Sequence, residues 1–527
     1  MALLRSVATI ASLTMVSRVL GLLRDVLTAF FLGAGPVADA FFVAFRFPNF
    51  FRALFAEGAF SAAFVPRFAA TLAQDGNQAA LQFAQEARAV LAAALSALVA
   101  VGVIFMPWLM PLFAPGFSDD PEQINLTISL ARITFPYLLF VSLVAHLGGV
   151  LNALDRFGAF AASPIIMNVT LMASLLLIPL FPNPATAPAY AMAVGVIASG
   201  IAQWSWMNIA AKRAGVRLDF IRPRLSPPVR ALLKAAFPAA LGTGAAQVNI
   251  LVGTILASLL PVGSVSYLYY ADRISQLPLG VFGIAIGTAL LPMLSRSISL
   301  GNKEEAVTQQ NRAIELTLLL TLPAAVALMV IPLPIIEILF ARGAFDADAA
   351  HKTALALAAF SAGLPAYVLI KALTPGFFAR HDTKTPVIIA VITMVLNVAF
   401  NLLLMIPLAH IGIALGTALA SWANAGMLAY ILKRRGQFQI DARLSMRWPR
   451  IAASALLMGL VLYFTNLALL PFWGQGLLTG ILALTALVLL GIAVFAALAL
   501  AFNAASIADM KALWHKPANI NNEGIAP

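Results

Sequence analysis

Long apolar stretches, separated only by short polar turns, constrain the fold of this chain more than any other feature. Hydrophobic residues fill 61% of the 527 positions and charged residues only 10%, and the mean hydropathy is +0.93. A soluble protein of this length needs more charge to cover its surface. A helix that crosses a bilayer needs about 20 mostly apolar residues. The sequence therefore predicts an all-α polytopic membrane protein with about fourteen transmembrane helices.

Apolar runs bounded by turn residues and charges define the candidate spans. Their approximate bounds are 6–33, 37–65, 84–112, 123–151, 158–181, 187–211, 230–260, 265–295, 306–339, 349–379, 385–408, 411–432, 450–471 and 476–503. The first run carries Arg18, Arg24 and Asp25, whereas the apolar core of a cleaved signal peptide is shorter and uncharged. We interpret it as a retained spanning helix.

Lysine and arginine are concentrated in alternate connections, which predicts the orientation of the chain. The formal net charge is +12, and the largest basic clusters lie at 212–230 and 433–450. Connections on the opposite side hold few basic residues. By the positive-inside rule, both termini are predicted to be cytoplasmic. The positive charge thus indicates membrane orientation, and we expect no nucleic-acid partner.

The sequence also excludes several kinds of chemistry. It contains no cysteine, which rules out disulfides, thiolate chemistry and cysteine-based metal sites. It carries no glycine-rich phosphate-binding loop, so no nucleotide partner is expected. His146 and His410 are isolated from other ligand-type residues. No metal and no other cofactor is predicted.

Two parts of the chain resemble each other, which indicates an internal repeat. Residues 107–120 and 332–348 both place an acidic turn before a helix that contains proline. Helices one to six would match helices seven to twelve as two pseudo-symmetric halves, and transporters of such design bind substrate between halves that rock. The predicted organisation is an N-terminal half at 1–212, a cytoplasmic linker at 213–229, a C-terminal half at 230–435, a cytoplasmic loop at 436–449, helices 13 and 14 at 450–504, and a cytoplasmic tail at 505–527.

Ionisable residues inside the predicted spans are the strongest sign of function. An arginine at the centre of a spanning helix costs about 3 kcal/mol, so such residues normally face a water-filled cavity or each other. The candidate binding residues are Arg18, Arg24 and Asp25 with the neighbouring Ser17 in the first span, Asp39, Arg46, Arg52 and Glu57 in the second, and Arg273 in the eighth.

The charge balance of these candidates predicts an anionic ligand. Arginine outnumbers acid among them, and a guanidinium binds phosphate through two parallel hydrogen bonds. A diphosphate would satisfy two or three of the arginines. The alternative is structural, because Arg18 is spaced to pair with Asp25, and Arg46 with Asp39. A purely structural role is less favoured for Arg24, Arg52 and Arg273.

Three motifs among these residues resemble those of one transporter family. The run 38–66, ADAFFVAFRFPNFFRALFAEGAFSAAFVP, and the run 17–25, SRVLGLLRD, are similar to signatures of the MurJ (MviN) lipid II flippase family. The stretch 270–274, YADRI, followed by LPLG at 277–280, is similar to a motif in that family's second half. The resemblance extends over the whole chain, including the last two helices.

The resemblance implies a multidrug/oligosaccharidyl-lipid/polysaccharide (MOP) exporter fold with a central cationic cavity. It implies that the chain flips lipid II, an undecaprenyl diphosphate bearing the peptidoglycan disaccharide-pentapeptide, to the periplasmic leaflet of the bacterial inner membrane. Such a chain serves peptidoglycan synthesis and is not an enzyme. The positions that match the family's functional residues are Arg18, Arg24, Arg52 and Arg273, with Asp39 as the motif acid. Helices 13 and 14 would form a groove for the lipid tail.

The energy source and the partners are less constrained. Some relatives hold a sodium ion with a carboxylate in the second half, and Asn401 occupies the corresponding position here. Membrane potential is therefore the simpler driving force, and coupling to a monovalent ion is the alternative. Moving one charge across 100 mV is worth about 2.3 kcal/mol. We expect a monomer, and leave open an association with cell-wall synthesis proteins.

Two rival functions remain to be compared. A drug or cation exporter on the same fold would need an unpaired carboxylate in the cavity, which the excess of arginine disfavours. A membrane glycosyltransferase that uses polyprenyl-phosphate donors would need catalytic acids on sizeable external loops. The predicted external acids, such as Asp119 and Asp346, lie in short turns.

Overall fold

Helices make up all of the regular secondary structure in the computed structural model, which describes residues 2–53 and 60–506. In chain order they are α1 (Ala2–Leu32), α2 (Pro36–Phe51), α3 (Ser61–Phe113), α4 (Pro121–Thr134), α5 (Tyr137–Ala153), α6 (Gly158–Ser174), α7 (Ala187–Arg213), α8 (Pro227–Ser258), α9 (Ser264–Ser299), α10 (Lys303–Val330), α11 (Pro332–Phe340), α12 (Ala347–Ser361), α13 (Leu364–Phe378), α14 (Lys384–Arg434), α15 (Ala442–Ala468) and α16 (Leu477–Ala501). Short 3-10 turns lie at Pro115–Phe117, Leu175–Leu180 and Leu470–Phe472. The predicted all-α class is confirmed.

Eight helical stretches in the described part of the chain are long and apolar enough to cross a membrane. A spanning segment must satisfy its own backbone hydrogen bonds, which a helix does. Several of the other helices, including α1 and α9, carry the ionisable residues that the sequence places inside spans. The chain is a multi-span membrane protein, and the count of fourteen spans stays a prediction.

Two helices, α3 with 53 residues and α14 with 51, are much longer than one membrane span, and each contains a sharp break. Gly76 in α3 has φ of 84° and ψ of 177°, so α3 has two arms, and residues 66–83, which lay between predicted spans, are helical. Ala409 in α14 has φ of 47° and ψ of −129°. The predicted spans 385–408 and 411–432 are the two arms of α14, joined without a loop.

The two stretches predicted to be repeats have the same order of elements. Asp120 is the N-cap of α4, and its carboxylate accepts a hydrogen bond from the backbone N–H of Glu122 at 3.0 Å. The turn before α12 is capped by Asp346, which accepts from the N–H of Ala349 at 2.8 Å. Each capped helix is followed by a short interruption and a second helix, α5 or α13. An N-terminal carboxylate satisfies free amides and favours the helix dipole.

The first compact unit contains the described residues within 1–273, 339–353 and 390–416. Inside it α6 packs against α1 and α7, α2 packs against α4, and α5 packs against α3 and α7. One of its cores is aromatic, with Phe64, Phe68 and Phe83 of α3 buried against Leu147 of α5 and Met207 of α7.

The second compact unit contains 274–338, 354–389 and the described residues from 417 onward. Inside it α10 packs against α13 and α15, and α15 packs against α16. Beside the apolar contacts, the buried carboxylate of Glu315 on α10 forms ion pairs with Arg312 at 2.5 Å, Arg443 at 3.1 Å, and Arg447. Arg312 also pairs with Asp441, the N-cap of α15. These ion pairs fasten the start of α15 to α10.

Candidate functional site

Arg24 and Asp25 of α1 form the centre of a buried polar cluster in the first unit. The Nη2 of Arg24 lies 2.7 Å from Oδ1 of Asp25, and its Nη1 donates to Oδ1 of Asn168 on α6 at 3.0 Å. Asn168 in turn donates to the backbone carbonyl of Ser17 at 3.0 Å. Arg24 is only 9% exposed. Its guanidinium is thus fixed by an acid and an amide that lie on two different helices.

Arg273 of α9 approaches the same carboxylate from the other side. Its Nε lies 3.9 Å from Oδ2 of Asp25, and its side chain is 38% exposed. The guanidinium lies 4.8 Å from the centre of the Tyr269 ring, and the Tyr269 hydroxyl donates to Oδ1 of Asp25 at 3.3 Å. The Nε of Arg273 has no hydrogen-bond partner among the described residues. One carboxylate therefore serves two guanidiniums, and a second acid, Asp272 of α9, acts electrostatically on Arg273.

This arrangement corrects the pairing expected from spacing along single helices. Asp25 pairs with its neighbour Arg24 and with Arg273, rather than with Arg18. Arg18 is partly buried and forms no ion pair with a described residue. A purely structural role was less favoured for Arg24 and Arg273, yet helix packing brings Asp25 between them as a partner for both. Spacing along one helix cannot reveal a partner on another helix.

Asp39 of α2 does not pair with Arg46 but caps the start of α9. Its Oδ2 accepts from the backbone N–H of Gly263 at 2.6 Å. Its Oδ1 accepts from the backbone N–H of Ser266 at 2.8 Å and from the Ser266 hydroxyl at 2.5 Å. Asp39 is 1% exposed. A carboxylate in this position satisfies amides that the first turn of a helix leaves free, and the helix dipole stabilises its charge.

The remaining candidates of α2 lie in different surroundings. Arg46 is partly buried and donates from Nη1 to the Thr254 hydroxyl of α8 at 2.7 Å. Arg52 is partly buried, and its Nε donates to Oδ1 of Asn49 at 3.0 Å. Glu57 lies outside the described residues. The structure thus brings Ser17, Arg24, Asp25 and Arg273 into one cluster, while Asp39, Arg46 and Arg52 have separate partners.

The end of α1 is joined to the connection between α11 and α12 beside the Asp39 cap. The Ala344 N–H donates to the Phe30 carbonyl at 2.8 Å, and the Tyr270 hydroxyl donates to the Gly33 carbonyl at 3.1 Å. Gly33 and Gly343 have φ of +65° and +64°, and a Cβ on either would lie 2.3 Å from a backbone oxygen. Both positions therefore need glycine. Backbone and side-chain hydrogen bonds therefore join the elements at this end of the first unit.

Four residues that take part in these contacts were missed from the sequence. They are Asn168, Thr254, Ser266 and Tyr269. Asn168 is an isolated amide in an apolar helix, which was an available signal, since such groups need a partner in a membrane interior. Serine, threonine and tyrosine are too frequent in such helices for their type alone to identify a site.

Asn401, the position expected to bear on ion coupling, is 1% exposed. The side-chain amide of Asn401 lies 3.1 Å from the Oδ1 of Asn397. Gly416 packs so closely against Asn401 that a Cβ on the glycine would lie 2.3 Å from the Oδ1 of Asn401. No group of three or more His, Cys, Asp or Glu side chains that could hold a metal ion occurs within residues 2–53 and 60–506. Asn401 is therefore tightly enclosed, and its role in coupling stays a prediction.

Comparison with known proteins gives consistent results at the level of sequence and structure. The family model described as lipid II flippase MurJ matches residues 28–484. A probable lipid II flippase MurJ of Rhizobium meliloti (strain 1021) is 44% identical over 514 residues, covering 97% of this chain and 96% of that protein. A lipid II flippase MurJ of Burkholderia cenocepacia is 35% identical, covering 83% of this chain and 85% of that protein.

Solved structures show the same relationship. A lipid II flippase MurJ in an inward closed conformation superimposes with a TM-score of 0.77 and 27% identity, covering 94% of this chain and 98% of that chain. An inward-facing multidrug resistance MATE family transporter of the MOP superfamily gives a TM-score of 0.63 at 15% identity, covering 81% of this chain and 97% of that chain. The latter likeness shows a shared fold alone.

Proposed function

This chain belongs to the lipid II flippase MurJ family, and from that membership we propose that it moves lipid II from the cytoplasmic to the periplasmic leaflet by alternating access. The family consists of transporters rather than enzymes, so the glycosyltransferase alternative is set aside. Lipid II carries a diphosphate, two sugars and a peptide on a long polyprenyl chain. The protein must therefore hold an anionic headgroup inside a membrane.

The observation that supports this proposal most directly is the Arg24–Asp25–Arg273 cluster. Two guanidiniums share the Asp25 carboxylate. When Asp272 is included, whose charge acts on both Arg273 and Arg46, three guanidiniums still face two carboxylates in a segment where charge is costly. Arg18 lies on the same helix and has no ion-pair partner among the described residues. A diphosphate would supply the missing negative charge. Guanidinium groups suit it because their paired N–H donors match phosphate oxygens.

The geometry supports different roles for the two arginines of the cluster. Arg273 is 38% exposed on its side chain and its Nε is without a hydrogen-bond partner, so it can turn toward a phosphate. Arg24 is nearly buried and already donates to Asp25 and Asn168. We assign Arg24 to positioning Asp25 and supplying charge, and Arg273 to direct contact with the diphosphate. Arg18 and Arg52, both partly buried, are the further candidates for contact.

We place the end of the first unit that carries Asp39 on the periplasmic side, with both termini cytoplasmic. This orientation is supported by the basic residues in alternate connections. The Asp39 cap on α9 and the Ala344–Phe30 contact would then hold the periplasmic end closed. Alternating access requires these contacts to break when the site opens outward.

For the driving force we propose the membrane potential. An arginine-bound diphosphate carries charge through the transport step, and each charge moved across 100 mV is worth about 2.3 kcal/mol. Flipping measured in proteoliposomes should speed up with a potential of one sign and slow with the other. An equal rate at both signs would contradict this driving force. A sodium gradient imposed without a potential tests the ion alternative in the same vesicles. We propose a monomer as the working unit.

Conservative replacement of the arginines tests the proposed site. Arg→Lys keeps the charge but loses the two-pronged match to phosphate. We expect Arg273→Lys and Arg52→Lys to weaken lipid II binding by roughly tenfold or more, the loss of one charge-assisted contact. Lys371→Gln removes an exposed cation elsewhere and serves as the control. Wild-type binding and flipping in both lysine variants would refute the diphosphate assignment, and loss of protein from the membrane would indicate a structural role.

A further inference from the structure

A second basic site lies in the first unit, far along the sequence from the cluster around Asp25. A cavity of about 670 Å³ opens between the helical arm of α3 that follows Gly76 and the connection from α7 to α8. Its lining includes the arginines Arg217, Arg222 and Arg224 and the acid Glu86. Its volume is in the range of small-molecule sites, about 300–1,000 Å³.

The charges of this cavity are strongly unbalanced. Three guanidiniums face one carboxylate, and both oxygens of that carboxylate are engaged. Oε2 of Glu86 accepts from the Ser226 hydroxyl at 2.5 Å, and its Oε1 accepts from the Gln82 amide at 3.3 Å. No ion pair to Arg217, Arg222 or Arg224 occurs in the described part of the chain. Because neutral groups occupy both oxygens of Glu86, the three arginines form no ion pair with it, and the lining carries a net positive charge of three guanidiniums against one carboxylate.

The connection that carries these arginines is held in place. Arg88 of α3 is 3% exposed, donates to the Asp219 carbonyl at 2.6 Å, and lies 4.7 Å from the centre of the Phe220 ring. Together with the Ser226–Glu86 hydrogen bond, this fixes the connection at two points, on either side of Arg222 and Arg224. A fixed backbone limits the entropy lost when the arginines order around a ligand.

The positive-inside rule explains why basic residues occur in this connection. It does not explain the glutamines on the face of α3 that forms the opposite wall of the cavity. Gln78, Gln82 and Gln85 recur at helical spacing on one face of α3, turned toward the arginines. Carboxamides both donate and accept hydrogen bonds, which suits hydroxyl groups. A simple orientation signal needs neither a cavity nor such a wall.

We propose that this cavity binds a phosphate ester that carries hydroxyl groups, with the arginines on the phosphate and the glutamines on the hydroxyls. Two sources have this chemistry, a soluble sugar or glycerol phosphate and the headgroup of a glycerophospholipid. Phe220 and Leu225, 75% and 54% exposed on the same connection, could contact acyl chains of the second source. The site is separate from the Asp25 cluster, and the proposal does not rest on lipid II transport.

Binding to the purified full-length chain in phosphatidylcholine nanodiscs tests the proposal. Radiolabelled glycerol phosphate is the soluble probe, and nanodiscs containing phosphatidylglycerol test the lipid source by competition with that probe. Saturable binding of glycerol phosphate that phosphatidylglycerol does not reduce identifies a soluble ligand. Binding that phosphatidylglycerol displaces identifies the headgroup. Absence of saturable binding of either probe overturns the proposal.

Matched variants distinguish specific binding by the three arginines from nonspecific attraction to positive charge. The triple variant Arg217→Lys, Arg222→Lys and Arg224→Lys keeps every charge, and hence the orientation signal, while it removes the guanidinium forks. We expect it to lose at least about tenfold in affinity. The control is Lys212→Gln with Arg213→Gln, which removes two exposed charges outside the cavity and should change affinity less than about twofold. Equal losses in the two variants would overturn the site.

A double variant of the opposite wall tests the hydroxyl contacts. Gln78→Ala with Gln85→Ala leaves the charges and the Gln82–Glu86 hydrogen bond in place. It should weaken glycerol phosphate several-fold and leave the affinity for inorganic phosphate unchanged. A parallel loss for both probes would contradict the assignment of the glutamines. Lipid II flipping, measured on the same samples, reports independently whether the transport function is intact.

Discussion

Replacing Asp39 by asparagine should open the end of the first unit that its carboxylate holds closed. The carboxylate accepts three hydrogen bonds, from the N–H of Gly263 and from the N–H and hydroxyl of Ser266. An asparagine retains one acceptor oxygen, and its amide nitrogen would face either the Gly263 N–H or the Ser266 donors. The change thus removes at least one charge-assisted hydrogen bond and leaves a buried N–H without an acceptor.

The cost can be estimated from these contacts. A hydrogen bond to a charged group contributes about 1.5–3 kcal/mol, and a buried unsatisfied donor costs about 1–3 kcal/mol. The lost interaction between the carboxylate and the N-terminus of α9 adds up to about 2 kcal/mol. Because the first two figures describe the same lost contact and are not additive, the net shift toward the open state is expected to be about 3 kcal/mol. It raises the population of that state by roughly 100-fold.

A single cysteine in this cysteine-free chain measures that population. Val265, next to the cap, is 1% exposed, so a thiol at Val265→Cys is labelled only when this end opens. Adding Asp39→Asn should accelerate labelling by roughly 100-fold, and Ser266→Ala, which removes one neutral donor, by about fivefold. A thiol at Leu487→Cys on α16, buried at 0% exposure, reports general unfolding and should stay unlabelled. Equal labelling with and without Asp39→Asn would refute the reasoning.

Three further predictions address backbone strain, acid stability and topology. Gly33→Ala should lower the thermal midpoint of unfolding markedly, because φ is +65° and the new Cβ would lie 2.3 Å from a backbone oxygen. The control is Gly253→Ala inside α8, whose Cβ would meet nothing within 4 Å and which should not lower the midpoint; equal midpoints for the two variants would contradict this. Hydrogen bonds from a neighbouring threonine and an arginine hold the pKa of Asp382 well below its usual range, so its stabilisation is present above the unfolded pKa near 3.9 and is lost as pH falls below it. The difference in the thermal midpoint of unfolding between the wild type and Asp382→Asn should accordingly shrink from pH 7 to pH 3. A constant difference would show that protonation of Asp382 does not affect stability. In intact cells, a membrane-impermeant thiol reagent should label Asp119→Cys and spare Arg217→Cys, and the reverse pattern would invert the proposed orientation.

Much of the fold could be predicted from apolar periodicity, because a spanning helix must be long, apolar and bounded by polar turns. The arms of α14 were placed within a few residues on either side of Ala409. The absence of a loop there could not be foreseen, since a positive φ at alanine depends on the packing of both arms. The helical segment that precedes predicted span 84–112 was missed because it is polar and carries no spanning signal.

The sequence identified residues that belong to the candidate site but did not predict which residues they contact. Buried arginines are costly enough to identify from sequence, and Arg24 and Arg273 do lie together. The position of Asp25 between them depends on how α1 and α9 pack, which one sequence does not reveal. Asp39 illustrates the same limit, since its partners are backbone amides of a distant helix start rather than a charge of opposite sign.

The shared carboxylate of Glu315 has a consequence for how this protein can change over generations. Because Arg312, Arg443 and Arg447 all bind it, the loss of any one arginine leaves the acid paired. Loss of the acid would leave three guanidiniums close together, of which Arg312 retains its ion pair with Asp441, and this repulsion is unfavourable. One arginine can therefore be replaced at a time, whereas replacement of the acid removes an ion-pair partner from all three arginines at once. The attachment of α15 to α10 thus tolerates substitution of a single arginine better than substitution of Glu315.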